Sequence, residues 1–174
     1  DCYLPRQAGT IGVTWFETSF RDLIASTPNF RSVENIQRAR TRGVEVSATA
    51  SLAAGTQVRV GYTLLEAENL SVHTRLLRRP RHRFTADAWH RFGAGFSAGA
   101  GVTGAAQRED VHAHTFRVID GEDYGAVRVY AEWQATPRLA VKARVENLLN
   151  ERYEEVHGYP APGLGAYGGI AWKF

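Results

Sequence analysis

Along most of this chain every second residue is apolar, and no other feature limits its fold so tightly. In the stretch 57–64, Val58, Val60, Tyr62 and Leu64 hold one parity, and Gln57, Arg59, Gly61 and Thr63 hold the other. Leu139, Val141, Ala143 and Val145 likewise oppose Lys142, Arg144 and Glu146. Val44, Val46, Ala48, Ala50 and Leu52 oppose Glu45, Ser47, Thr49 and Ser51. Val127, Val129, Ala131 and Trp133 oppose Arg128, Tyr130 and Glu132, while Phe96, Ala98, Ala100 and Val102 alternate with Ser97, Gly99 and Gly101. A strand turns successive side chains to opposite faces, so these are two-faced strands. No 3.6-residue stripe of comparable clarity competes with them.

The pattern predicts about eight strands, near residues 10–23, 33–52, 55–67, 81–92, 95–107, 123–135, 139–147 and 165–174. The first and fourth alternate less cleanly, because aromatics such as Trp15 and Phe16 fall on both faces. Pro5, Pro28, Pro80, Pro137, Pro160 and Pro162 fall between strands or at their ends, where a residue without a backbone donor can sit. The connections 53–56, 92–95 and 136–138 are tight, whereas 24–32, 69–79, 108–122 and 148–164 are long and polar. Short and long alternate strictly. In an up-and-down sheet this collects the tight turns on one rim and the long loops on the other, as in outer-membrane barrels.

The two parities carry chemistry that fits such a barrel. Lys142, Arg144 and Glu146 could not stand unpaired in a packed apolar core, but they can line a wet lumen. A soluble barrel with its apolar face inward shows similar alternation, and parity alone does not orient a face. Charges on many successive strands, with loop lengths segregated by rim, favour the membrane version. A mean hydropathy of -0.32 does not oppose it, since barrel strands show lipid only every second side chain. No run of about 18 apolar residues offers a spanning helix, and the start, "DCYLPRQAGT", has no signal-peptide pattern. The net charge of +3 is too small to imply a nucleic-acid partner. The one cysteine, Cys2, excludes an internal disulfide and any cysteine-rich metal site.

Several motifs have bland readings that outweigh the chemical ones. "GFSAG" (95–99) matches a nucleophile pattern, but Ser97 sits within an alternating stretch with no helix after it. "GAGVTG" (99–104) fits a dinucleotide fingerprint without its strand-to-helix context and reads as a glycine-rich strand with a bend or a close contact to a plug. His112 and His114 lie in a long loop near Glu109, Asp110 and Asp120; without a fixed third ligand they read as exposed, and no metal site is assigned. In "RLLRRPRHR" (75–83) the bland reading is solvated charge. The sharper one has Arg78, Arg79 and Arg81 paired with lipopolysaccharide phosphates, which suit guanidinium forks. No paired carboxylates or histidine–nucleophile constellation stands out, so no enzyme activity is expected and no cofactor is implied.

In order along the chain stand "FETSFRDLI" (16–24), "NIQRARTRGVEVSATA" (35–50), "VGYTLLEAEN" (60–69), "LLRRPRHRF" (76–84), "VENLLNERYEEVHGYPAPG" (145–163) and the terminal "YGGIAWKF". On these blocks the chain resembles the C-terminal part of TonB-dependent outer-membrane receptors, most closely the vitamin B12 transporter branch. Residues 1–9 are unmatched, and 10–174 correspond to the receptor β-barrel. The resemblance implies an all-β fold: an antiparallel up-and-down transmembrane β-barrel segment of about eight strands, from a larger barrel of about 22 strands around an N-terminal plug. It implies a place in the Gram-negative outer membrane and uptake of a scarce ligand, cobalamin first and a siderophore or haem iron chelate next. The implied partners are outer-membrane lipid and lipopolysaccharide, the TonB complex through the N-terminal part, and the barrel-assembly machinery, with no nucleic acid. Ile170, Trp172 and Phe174 correspond to the assembly signal. Tyr153, Tyr159 and Tyr167, in or beside the last long loop, are candidate ligand contacts. By this alignment the plug, the TonB-contacting segment and the earlier strands precede the matching blocks. The chain then reads as a fragment that is not expected to transport alone. The competing expectation is a self-contained eight-stranded outer-membrane protein with a structural or adhesive role.

Overall fold

The computed structural model describes residues 2–3, 8–27, 31–53 and 55–174. Pro5 and Pro28 lie outside the described residues. In chain order the strands are β1 (Cys2–Tyr3), β2 (Gly9–Ser26), β3 (Val33–Ala53), β4 (Thr56–Asn69), β5 (Thr74–Arg75), β6 (His82–Gly93), β7 (Phe96–Ala106), β8 (Arg108–Val111), β9 (Val118–Gly121), β10 (Tyr124–Thr136), β11 (Leu139–Glu146), β12 (Glu154–Val156), β13 (Tyr159–Pro160) and β14 (Gly165–Trp172). Neighbours pair antiparallel in the order β1-β2-β3-β4-β6-β7-β10-β11-β14, with β5 added to β4. The eight long strands are those the alternation predicts. The sheet is an open wall rather than a closed barrel: among the described residues β14 pairs β11 and no other strand.

Register turns the alternation into two continuous surfaces. Gly9, Ala50, Val58, Ala88, Ala100, Val129, Val145 and Ala166 stand directly opposite one another across all eight long strands. Ile11, Ala48, Val60, Ala86, Val102 and Val127 form the next row on the same face, and Val13, Val46, Tyr62 and Phe84 the one after. Thr10, Thr49, Arg59, Asp87, Gly101 and Arg128 form a row on the other face. Because directly opposed residues share a face, one surface is apolar and the other polar from edge to edge.

The apolar surface is not a core. Trp15 is 66% exposed, Val13 63%, Ile170 77% and Trp172 56%, and the buried hydrophobics among the described residues are Ala39, Ala67, Ala105, Val111 and Ala140. An exposed apolar patch of this extent marks contact with something outside the chain. Its height has a limit. On β3 it runs from Val44 to Leu52, matching the roughly 9–11 residues of a tilted spanning strand. Beyond the row Trp15, Val44, Leu64, the same face turns abruptly to Glu17, Arg42, Glu66 and then Ser19, Arg40, Glu68. Aromatics collect at the opposite limit, where Trp133 faces Phe96, Trp172 faces Leu139, and the Phe92 and Phe96 rings lie 5.7 Å apart. Apolar strip, aromatic margins and charge beyond are the zonation of a wall that crosses a bilayer.

The rims differ as loop lengths predict. The β6–β7 turn uses Gly93 and Gly95 at φ of 94° and 75°, where a side chain would be strained. The β10–β11 turn is closed by Thr136, whose Oγ1 accepts the N–H groups of Arg138 and Leu139. At the other rim, the segments 108–122 and 148–164 are more ordered than sequence suggests: each folds back as a short hairpin, β8–β9 and β12–β13.

Candidate functional site

On the polar face the side chains border a trough of about 940 Å³, lined in part by Arg59, Asp87, Tyr130, Glu132, Arg144 and Tyr167. Its centre is a cluster spanning three strands. Asp87 on β6 accepts the Tyr130 hydroxyl at 2.7 Å and Arg128 Nη2 at 3.0 Å, both from β10. Strand β7 runs between them, and the contact is possible because β7 has glycine there. A Cβ on Gly101 would stand 2.7 Å from Asp87 Oδ2 and 2.8 Å from Arg128 Nε, and one on Gly99 would stand 2.6 Å from the Tyr130 ring. Gly99 and Gly101 thus form a furrow that lets the flanking strands touch. Gly101→Val is expected to separate Asp87 from Arg128 and lower unfolding stability by about 1–3 kcal/mol. Denaturant titration beside wild type measures this, and unchanged stability would refute the furrow's role. Lower in the trough Lys142 pairs with Glu132 at 3.2 Å, and the Arg144 guanidinium lies 4.7 Å over the Tyr167 ring.

Above the trough the loops are tied by buried polar groups. Asp110 on β8 is 1% exposed. Its Oδ1 accepts Arg78 Nε at 2.8 Å and the Val111 N–H at 2.7 Å, and its Oδ2 accepts the His157 N–H at 2.7 Å. One carboxylate thereby joins the β5–β6 connection, the β8–β9 hairpin and the β12–β13 hairpin. Burial alone would raise its pKa; the His157 N–H, the Arg78 guanidinium and the Val111 N–H more than offset this and hold it below the usual carboxylate range. Arg108, also buried, donates through Nη2 to the carbonyls of Glu122 and Glu154. Tyr153 stacks on Tyr124 with ring centres 4.1 Å apart, and burial followed by the Glu155 carboxylate pushes its phenol pKa up.

Asn147 fastens the last loop and gives the "NLLNERYE…GYPAPG" block its structural meaning. Its Nδ2 donates to the carbonyls of Glu151 at 2.9 Å and Pro162 at 3.1 Å, and its Oδ1 accepts the Glu151 N–H at 2.8 Å. It also holds φ at 49°, a left-handed value asparagine tolerates better than most residues. Asn147→Ala is expected to loosen 148–164 by about 1–3 kcal/mol, read as faster limited proteolysis in that segment; an unchanged cleavage rate would contradict the assignment.

The structure distributes the sequence-predicted residues unevenly. Tyr153 and Tyr159 belong to the loop rim, Tyr159 being 73% exposed, while Tyr167 lies on β14 within the trough wall. Arg78 points to Asp110, Arg79 donates to the Arg78 carbonyl at 3.3 Å, and Arg81 stands 3.9 Å from Glu66. Ile170 and Trp172 lie exposed on the apolar face, and Phe174 follows the strand fully exposed. Ser97 is the second residue of β7, its hydroxyl 3.5 Å from the Glu132 carbonyl, and strand rather than helix follows it, so the strand-to-helix turn of a nucleophile is not formed. His112 and His114 acquire a neighbour from the next loop: the His112 ring is 4.8 Å from that of His157 and 5.9 Å from that of His114. Sequence reading did not single out Arg108 or His157 and noted Asp110 only beside the loop histidines, because the contacts that tie these residues to other loops span 32 to 47 positions.

Comparison with known proteins places this architecture. The family model for "TonB dependent receptor-like, beta-barrel" matches residues 3–148. The vitamin B12 transporter BtuB of Vibrio cholerae is 28% identical over 167 residues, taking in 93% of this chain and 26% of the relative. Among solved structures, the copper transporter OprC superposes with a TM-score of 0.79 at 16% identity, over 98% of this chain and 30% of that one. The ferripyoverdine receptor of the Pseudomonas aeruginosa outer membrane does so with a TM-score of 0.78 at 18% identity, over 99% of this chain and 26% of the other. The chain therefore spans about a quarter of the length of the relatives it matches.

Proposed function

Given that this chain belongs to the TonB-dependent receptor β-barrel family, we propose that it forms wall and external loops of an outer-membrane transporter that takes up a scarce ligand. The observation that supports this most directly is the exposed apolar zone, continuous over eight strands and bounded by aromatics and charge. Its reverse face is a wet, charged trough. Such a wall suits a bilayer on one side and a polar plug or passage on the other. Cobalamin is the first-choice ligand because the sequence relative at 28% identity is a vitamin B12 transporter; an iron chelate is second, in line with the ferripyoverdine receptor's fold. Outer-membrane vesicles carrying the protein are expected to retain labelled cyanocobalamin and to release it to excess unlabelled cobalamin. Competition by ferric chelates alone would redirect the ligand. Recovery of the protein from the soluble fraction would overturn the transporter reading itself.

Energy would come from a TonB complex acting on the N-terminal plug of the whole receptor. Ile170, Trp172 and Phe174, exposed at the last strand, suit recognition by the barrel-assembly machinery. Arg78, Arg79 and Arg81 remain the residues proposed for lipopolysaccharide contact; Arg78 also holds Asp110, so the test uses the other two. Replacing both with Gln is expected to weaken lipopolysaccharide binding several-fold, measured by co-purification from outer membranes; an unchanged ratio would remove that role.

A further inference from the structure

We propose that His112, His114 and His157 form a binding site for a borderline divalent cation of the late first transition row, Cu2+, Ni2+ or Zn2+. The site goes beyond the uptake reading and does not depend on which ligand the trough admits. The His112 ring has two neighbours, His114 from its own loop and His157 from the next. Metal–nitrogen bonds of about 2.0–2.1 Å set the ring centres of two ligating imidazoles about 5 Å apart. The separations of 4.8 Å and 5.9 Å bracket that spacing. Imidazole nitrogen is also the donor these cations prefer to carboxylate or carbonyl oxygen.

The surroundings orient two of the three rings. His157 Nδ1 lies 3.5 Å from Glu154 Oε2, which itself is fixed by the Gly158 N–H at 2.7 Å. With the carboxylate on the Nδ1 side, Nε2 is the nitrogen that remains to meet a metal. The backbone of His157 is held by Asp110, so its ring is carried on a fixed point. His112 Nδ1 accepts two long contacts, from the N–H groups of His114 at 3.2 Å and Thr115 at 3.3 Å. These draw the turn around it and are weak enough for a metal to displace. Among the described residues no three side chains already stand in a metal-holding arrangement. The cluster is open, and His114, exposed on its turn, closes it by rotating its side chain.

The test is titration of the purified protein in detergent with CuCl2 and NiCl2 in a buffer that does not chelate, followed by electron paramagnetic resonance of the copper form. Saturation at one equivalent is expected, with nitrogen coupling from more than one imidazole. His112→Ala and His157→Ala should each weaken binding at least tenfold, while His73→Ala, on a separate turn, should leave it unchanged. His157→Ala keeps the backbone donor to Asp110; if amide exchange at Val111 shows that the loop has nonetheless opened, His114→Ala decides, and there too a tenfold loss is expected. No saturable binding, equal affinity in the cluster variants, or an equal loss in His73→Ala would each overturn the site.

Discussion

Asp110→Ala is expected to release three loops in a single step. Removing one partner of a buried charged pair costs about 3–5 kcal/mol. Arg78 is 35% exposed and recovers part of that by rehydrating, so the net loss is about 2–3 kcal/mol. The amides of Val111 and His157, which donate to this carboxylate, should exchange with solvent on the order of 100-fold faster. Exchange in the sheet, for example along β3 and β4, should not change. The effect has a pH signature of defined sign. Because the folded pKa is depressed, the carboxylate's contribution is complete above the ordinary aspartate value of about 3.9 and disappears as pH falls through the lower folded value. Wild type and Asp110→Ala should therefore differ at neutral pH and converge in acid, once intrinsic exchange rates are corrected for. Identical exchange at neutral pH would show that the loops hold together without this carboxylate.

Val60→Arg is expected to have a comparably large effect, by a different cause. Val60 lies in the row Ile11, Ala48, Val60, Ala86, Val102, Val127, well inside the apolar zone, and is 46% exposed there. Arginine at mid-depth on the lipid side of a barrel costs about 2–4 kcal/mol. Thr85→Arg, on the opposite face of neighbouring β6, enters the polar hollow beside Asp87 and Arg128 and should cost less than about 1 kcal/mol. Denaturant unfolding from vesicles compares the two. A tolerated Val60→Arg beside a damaging Thr85→Arg would mean that the faces are assigned backwards.

The wall was legible because each strand states its own period. Val58, Val60, Tyr62 and Leu64 need no partner to declare a face, so the eight long strands could be read one at a time. Which face meets lipid was less legible, since parity has no sign. Register supplies it: Trp15 next to Val44 and Leu64, then Glu17 next to Arg42 and Glu66, shows where the apolar zone stops. The furrow in β7 was visible only as an odd run of glycine. Its reason lies in Asp87 and Arg128, one strand away on either side. The loop site was least legible. "REDV" and "VIDG" are too short to announce a hairpin, and nothing near His157 signals that its N–H is destined for a carboxylate 47 residues earlier.

That single carboxylate also governs how the outer surface can change. Three loops fastened to one point cannot be exchanged independently: a substituted β12–β13 hairpin must still offer a donor where His157 does, and a new β5–β6 connection must still deliver a guanidinium. Variation in this surface should proceed by coordinated replacement, and a graft that carries over one loop without its two companions should inherit neither shape.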